Sequence, residues 1–230
     1  MEKHLITKDE CYVQETCKKY KNNTCTESFC VRLYKIDSLY EKSLLTQKQR
    51  LPISLFADKD KEAFNKLSEY QSNILDFVHE GKNLYIYSNC TGNGKTSWAV
   101  KLMQAYIHKI WASSDISCRA LFISIPKYTR ELKLNISHKS DYIDYINQNI
   151  SNADLVIWDD IAIKSTSEYE HEQLIAMIDS RLQSDKSNIF TTNITPENLS
   201  DCIGPRLTSR ILGNSDLICF TDGDKRRIKS

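Results

Sequence analysis

The chain has 230 residues, a formal net charge of +1 and 40% hydrophobic residues, which suits one ordinary domain carrying a small appendage. The charge balance excludes an overall basic field for nucleic acid, so any such contact must be local. No apolar run approaches the ~18 residues of a membrane span, and the start Met1-Glu2-Lys3-His4 lacks a secretory apolar stretch; the chain reads as cytoplasmic with no membrane partner.

The segment before about residue 50 is polar and charged, and it holds four of the eight cysteines. Cys11, Cys17, Cys25 and Cys30 lack the tight paired spacing of a strong zinc signature. A fifty-residue polar appendage has little core of its own, however, and four thiolates make a closed tetrahedral Zn²⁺ site. Residues 1–50 are therefore expected to form a cysteine-rich, zinc-binding module. The other four, Cys90, Cys118, Cys202 and Cys219, are scattered and read as small hydrophobes.

Composition shifts near Leu51-Pro52, and residues 51–62 read as a linker. Phe64, Leu67, Tyr70, Ile74, Leu75 and Val78 then fall at helical spacing and predict an amphipathic helix ending near Gly81. An apolar run through Leu84 and Ile86 predicts a strand. It leads into Asn89-Cys90-Thr91-Gly92-Asn93-Gly94-Lys95-Thr96-Ser97 and a helix to about Trp111. Strand, glycine-bearing loop and helix are the parts of a phosphate cradle. Backbone N–H groups wrap the phosphates, Lys95 supplies a charge near the β/γ oxygens, and the Thr96 hydroxyl reaches Mg²⁺. The usual G-x-x-x-x-G-K-[ST] pattern has glycine where Asn89 stands; asparagine tolerates left-handed backbone angles, so a tight turn can survive there.

Ala120 to Ile125 predicts a second strand, stopped by Pro126, and Tyr142 to Ile150 a helix. Leu155 to Trp158 is a continuous apolar run, as expected of a buried parallel strand, and it ends in Asp159 and Asp160. Asp159 is placed to hold Mg²⁺ and Asp160 to orient the attacking water. Ser167 and Glu170 predict a capping box for a helix bearing Leu174, Ile175, Ile178 and Leu182. Asn188 to Thr192 predicts a strand with Asn193 beyond it, near a γ-phosphate. Thr195-Pro196 opens a short helix. Arg206 and Arg210 share one helix face, a solvated basic face or an arginine finger offered to a neighbouring subunit. Leu217 to Phe220 predicts a last strand, and Arg226 and Arg227 follow it. Strands alternating with helices give an α/β fold with a parallel sheet covered on both faces.

The order of the phosphate loop, Val156-Ile-Trp-Asp-Asp160, Thr191-Thr-Asn193, Gly204-Pro-Arg206-Leu-Thr-Ser-Arg210 and Gly223-Asp-Lys-Arg226 resembles the DnaC/DnaI family, the AAA+ replicative helicase loaders of bacteria and their phages. The resemblance runs from about Phe64 to the C-terminus and implies an AAA+ P-loop NTPase domain over residues 63–230. It implies that Lys95, Thr96, Asp159 and Asp160 match the Walker residues and Asn193 the first sensor. Arg210 matches the arginine finger and Arg226 the second sensor. It also implies ATP and Mg²⁺ as ligands, and slow hydrolysis used as a switch. The implied partners are a hexameric replicative helicase gripped by the N-terminal module, single-stranded DNA, and further copies of the ATPase domain. Lys127, Tyr128, Arg130 and Lys133 combine charge with a stackable ring and are candidates for the DNA contact. IstB-like transposition helpers are an alternative with the same core, but they do not usually carry an N-terminal cysteine module. A nucleotide-binding interaction module with little turnover is the other alternative, kept open by Asn89 and Asp160.

Overall fold

The computed structural model describes residues 11, 13–14, 17–22, 24–25, 30–55, 60–135, 138–161 and 167–221. Its helices begin with α1 (Lys18–Lys21), α2 (Val31–Lys42), α3 (Gln47–Arg50), α4 (Lys61–Ser72), α5 (Ile74–His79) and α6 (Lys95–Ile110). They continue with α7 (Ile125–Asn135), α8 (Asp141–Asn149), α9 (Glu168–Gln183), α10 (Pro196–Ile203) and α11 (Pro205–Gly213). The strands are β1 (Asn83–Tyr87), β2 (Ala120–Ser124), β3 (Leu155–Asp159), β4 (Ser187–Thr192) and β5 (Ser215–Cys219).

All neighbouring strands pair in parallel, in the order β2-β3-β4-β1-β5. Alternation along β1 to β4 sends side chains to two separate cores, while edge strand β5 buries only Ile218. Leu84, Ile86, Phe122, Ile157 and Ile189 face α2, α4, α5 and α6 on one side. Tyr85, Leu121, Ile123, Trp158 and Phe190 face α7 to α11 on the other. Because both faces are covered, the central strands read in sequence as apolar runs rather than alternations.

Three elements differ from the sequence expectation. The helix expected from Phe64 to Gly81 is two helices, because Asn73 leaves helical angles (φ −103°, ψ 29°) and the bend lets Ile74 and Phe77 both bury. Pro126 does not merely stop β2. It sits in the first turn of α7, where its missing N–H leaves no helical bond unmade. The last strand is Ser215–Cys219 rather than Leu217–Phe220. The Ser167–Glu170 capping box is formed in both directions, as expected.

The expected 1–50 module does not stand apart along its whole length. Leu33, Ile36, Leu39 and Tyr40 form one buried face of α2, and they share a core with Leu102, Met103, Tyr106 and Ile107 of α6. Each buried aliphatic side chain there contributes about 1.5–3 kcal/mol. The end of α2 is also stitched to the β2 side of the sheet. Ser43 O accepts from Phe122 N–H (2.9 Å), and Lys42 O accepts from Tyr145 Oη (2.7 Å).

At the N-terminal ends of β3 and β4 a buried cation takes the place of apolar packing. Arg181 is 1% exposed and donates to Ile150 O, Ala153 O, Ser187 O and Asn188 Oδ1 at 2.6–2.8 Å. Burial pulls its guanidinium down to about 9. Asn188 uses its remaining capacity on Trp158 Nε1, Asn83 Oδ1 and Lys186 O. Such a network is stabilising only while every member is satisfied. It locks the end of the sheet opposite the phosphate loop.

Candidate nucleotide site

The site lies at the C-terminal edge of the sheet, where parallel strands deliver their following loops to one place. The loop after β1 turns through two left-handed glycines, Gly92 (φ 76°) and Gly94 (φ 98°), the second capping α6. Among the described residues a side chain at Gly94 would meet only Leu55 Cδ2, at 3.9 Å, so its requirement there is conformational rather than steric. Asn89 does not adopt a left-handed angle. It is exposed, so the loop's tight bends fall on the glycines it retains, and asparagine at the first position meets no backbone strain. No acid occupies the first turn of α6, which leaves that helix end suited to an anion.

Inside the loop, Asn93 is 2% exposed and organises its neighbours. Its amide donates to Ser88 Oγ and its carbonyl oxygen accepts from Lys95 Nζ at 3.0 Å. Lys95 Nζ also donates to Cys90 O at 2.9 Å, so the buried ammonium is held against the loop's own oxygens.

The acids of β3 meet this loop directly. Thr96 Oγ1 donates to Asp159 Oδ1 at 2.7 Å, and Thr191 Oγ1 of β4 donates to the same oxygen at 2.7 Å. Burial raises the Asp159 carboxyl above the usual carboxylate range; the Thr96 and Thr191 hydroxyls and Lys95 work against the rise, while Asp160 adds to it. Asp160 is half-buried with a left-handed φ of 55°, and its N–H donates to Thr191 Oγ1 at 3.1 Å. Asn193 is exposed one residue past β4, whose end is paired with Tyr87 of β1. The donor set of one hydroxyl and one carboxylate suits Mg²⁺, a hard cation that takes oxygen ligands and commonly one or two carboxylates.

The remaining candidates are placed differently. Arg210 Nε lies 3.1 Å from Asp179 Oδ1, and Arg206 lies 3.5 Å from Asp179 Oδ2, so both guanidinium groups share one buried carboxylate of α9. No aligned hydrogen bond reaches Asp179 Oδ1, so the contact is an ion pair without hydrogen-bond geometry. Asp179 was not read from the sequence; its acid, four residues from Ile175 on a helix carrying other charges, gives no pattern to find it by. Arg226 lies outside the described residues.

The stripe expected to contact DNA is corrected at its ring. Tyr128 is 1% exposed and cannot stack a base. Its chain neighbour Lys127 lies 4.1 Å from the Tyr142 ring centroid, Arg130 pairs with Glu131 at 3.3 Å, and Lys133 with Glu170 at 3.4 Å. Amphipathic α7 turns its one ring inward, while the Arg130 and Lys133 side chains stay exposed beside their acidic partners.

Cys11, Cys17, Cys25 and Cys30 are all partly buried free thiols. Burial pushes the Cys11 thiol up, and the nearby Cys30, Cys17 and Cys25 add to the rise. Among the described residues, no group of three or more His, Cys, Asp and Glu side chains is drawn together closely enough to hold a metal ion. Cys11 thus feels the other three thiols, but the described residues form no coordination shell. Among the described residues no helix is long and apolar enough to cross a membrane.

The family model described as the bacterial DnaA ATPase domain matches residues 56–215, well over half of the chain. The chain is 23% identical over 155 residues to the replicative helicase loader DnaC of Escherichia coli strain K12, covering 67% of this chain and 57% of that protein. It thus spans less than two thirds of the length of the curated relatives it matches. In structure it is similar to DnaI (TM-score 0.58, 18% identity, 77% of this chain and 95% of that one). It is also similar to the replication initiator DnaA bound to AMPPCP and single-stranded DNA (TM-score 0.54, 20% identity, 80% of this chain and 53% of that one).

Proposed function

The chain belongs to the family of bacterial DnaA ATPase domains, and from that premise we propose that it is an ATP-dependent loader of a replicative DNA helicase. The observation that carries the nucleotide part is the 2.7 Å bond from Thr96 to Asp159 beside the buried Lys95. It joins the phosphate loop to the acid strand, as a Mg²⁺-nucleotide site requires. Likeness to the helicase loader DnaC supports the loading part.

In this reading Lys95 and the amides around Gly92 and Gly94 bind the phosphates, with Asn89 to Ser97 forming the cradle. Thr96 and Asp159 hold Mg²⁺, which screens charge on the β- and γ-phosphates. Asp160 orients the attacking water and Asn193 reads the γ-phosphate. Arg210 serves a neighbouring copy's nucleotide, held in readiness on Asp179, and Arg226 acts as the second sensor. Hydrolysis is slow and works as an assembly switch in this reading, and Asp160 stands where a longer glutamate is more usual. Single-stranded DNA is a further partner, as it is for the DnaA structure. With Mg²⁺ and ATP, the full chain should co-elute with the hexameric replicative helicase of its source cell. Two separately eluting species would remove the loader reading.

Zinc belongs to the same proposal. Cys11, Cys17, Cys25 and Cys30 are four free thiols with the donor chemistry of a closed tetrahedral site, which would have to be drawn together on binding; cysteine ligands there would tie the N-terminal segment to α2 through Cys30. Metal analysis of protein purified without chelators should give about one Zn per chain, since structural sites of this type bind with ~10–16 kcal/mol of apparent free energy. A value near zero discards the site.

A further inference from the structure

We infer that Thr191 is a positioning residue for the paired acids, fixing the Asp159 carboxylate for its metal and holding the turn that aims Asp160. The inference rests on the nucleotide-site reading above and deepens it.

Thr191 lies on β4, adjacent to β3 in the sheet, and is 0% exposed. Three consecutive residues of the acid turn hang on it. Its hydroxyl hydrogen goes to Asp159 Oδ1 (2.7 Å), its hydroxyl oxygen accepts from Asp160 N–H (3.1 Å), and its carbonyl accepts from Ile161 N–H (3.0 Å). The middle residue of that turn, Asp160, holds a φ of 55°. A non-glycine residue keeps such an angle only where its surroundings over-determine it. Thr191 supplies two hydrogen bonds that bracket the strained residue and a third to the carboxylate before it.

The two hydroxyls on Asp159 are not equivalent. Thr96 is also the residue proposed to hold Mg²⁺, so its hydroxyl serves two groups. Thr191 is buried in the sheet and serves the acids alone. Both bonds fall on Oδ1, so Oδ2 takes part in neither. The carboxylate is thereby turned about a fixed oxygen rather than left to rotate. Its neighbour Thr192 is also a buried hydroxyl, but that one accepts from Ile194 N–H and shapes the exit toward Asn193 instead.

The test compares Thr191→Val, which keeps the branched shape and loses the hydroxyl, with Thr191→Ser, which keeps the hydroxyl. Affinity of the full chain for a fluorescent ATP analogue is measured by equilibrium titration, once in EDTA and once in Mg²⁺. The ratio of the two affinities reports the metal's contribution. In T191V that ratio should fall roughly tenfold or more, the scale of one lost hydrogen bond to a charged group. The metal-free affinity should stay at the wild-type value, and T191S should retain the wild-type ratio. An unchanged ratio in T191V overturns the inference, as does equal loss in T191S or a loss confined to the metal-free affinity, because a strand-filling role predicts those. Should T191V not fold, Thr191→Ala is read in the same way. Wild-type protein that binds no analogue in either buffer would instead defeat the nucleotide-site reading itself.

Discussion

Replacing Lys95 with alanine is expected to weaken ATP binding by roughly 10²-fold or more while leaving the chain folded. The ammonium is buried and held by Cys90 O and Asn93 Oδ1, both oxygens of the loop it belongs to. It restrains the loop and its charge is felt by Asp159 across the site, but it fills neither apolar core, so its removal should leave both cores packed. A phosphate group loses the point charge that the loop supplies, and that loss exceeds what loop amides alone recover. Equilibrium titration with a fluorescent ATP analogue reads the affinity, and thermal unfolding reads the fold. Undiminished affinity in a folded K95A chain would mean the phosphates bind elsewhere.

The second large effect is expected of Arg210→Ala. Nucleotide affinity should hold, and hydrolysis that depends on assembly should fall by about 10³-fold, the lower end of the range for a finger supplied from a neighbour. Asp179 complicates the reading in a useful way. Without Arg210 the buried carboxylate keeps only Arg206, at 3.5 Å, so some loss of thermal stability is expected as well. A mixing experiment separates the two effects. K95A subunits offer an intact Arg210, and R210A subunits offer an intact phosphate loop. Mixed together they should recover part of the activity that neither has alone. A mixture no more active than its parts would place Arg210 outside the neighbour's site.

Much of the architecture was legible because it rests on short-range pattern. The apolar run ending in Asp159 and Asp160, the capping box at Ser167 and the glycine-bearing loop before Lys95 each declare themselves locally. Parallel pairing then carries them to one edge, which explains why Thr96 and Asp159, 63 residues apart, share a hydrogen bond. What escaped notice depends on contacts that no local pattern announces. Thr191 reads as one more β-branched strand residue, and only the register of β4 beside β3 reveals its partners. Arg181 reads as a surface charge near the end of a helix, yet three backbone carbonyls and an asparagine enclose it. Tyr128 is the opposite case, since a ring between Lys127 and Arg130 suggests a platform until the helix phase is known. The break at Asn73 was hidden because apolar spacing continues unchanged across it.

The docking of α2 has a practical bearing on how this chain can be dissected. Cutting near residue 50 would strip the outer wall from Leu102, Met103, Tyr106 and Ile107 and leave the rim at β2 without its seam of carbonyl contacts. Raw apolar surface beside an open strand is a recipe for self-adhesion. An amputated ATPase fragment would therefore clump for reasons unrelated to its biology, and its behaviour would say nothing about which end grips a partner.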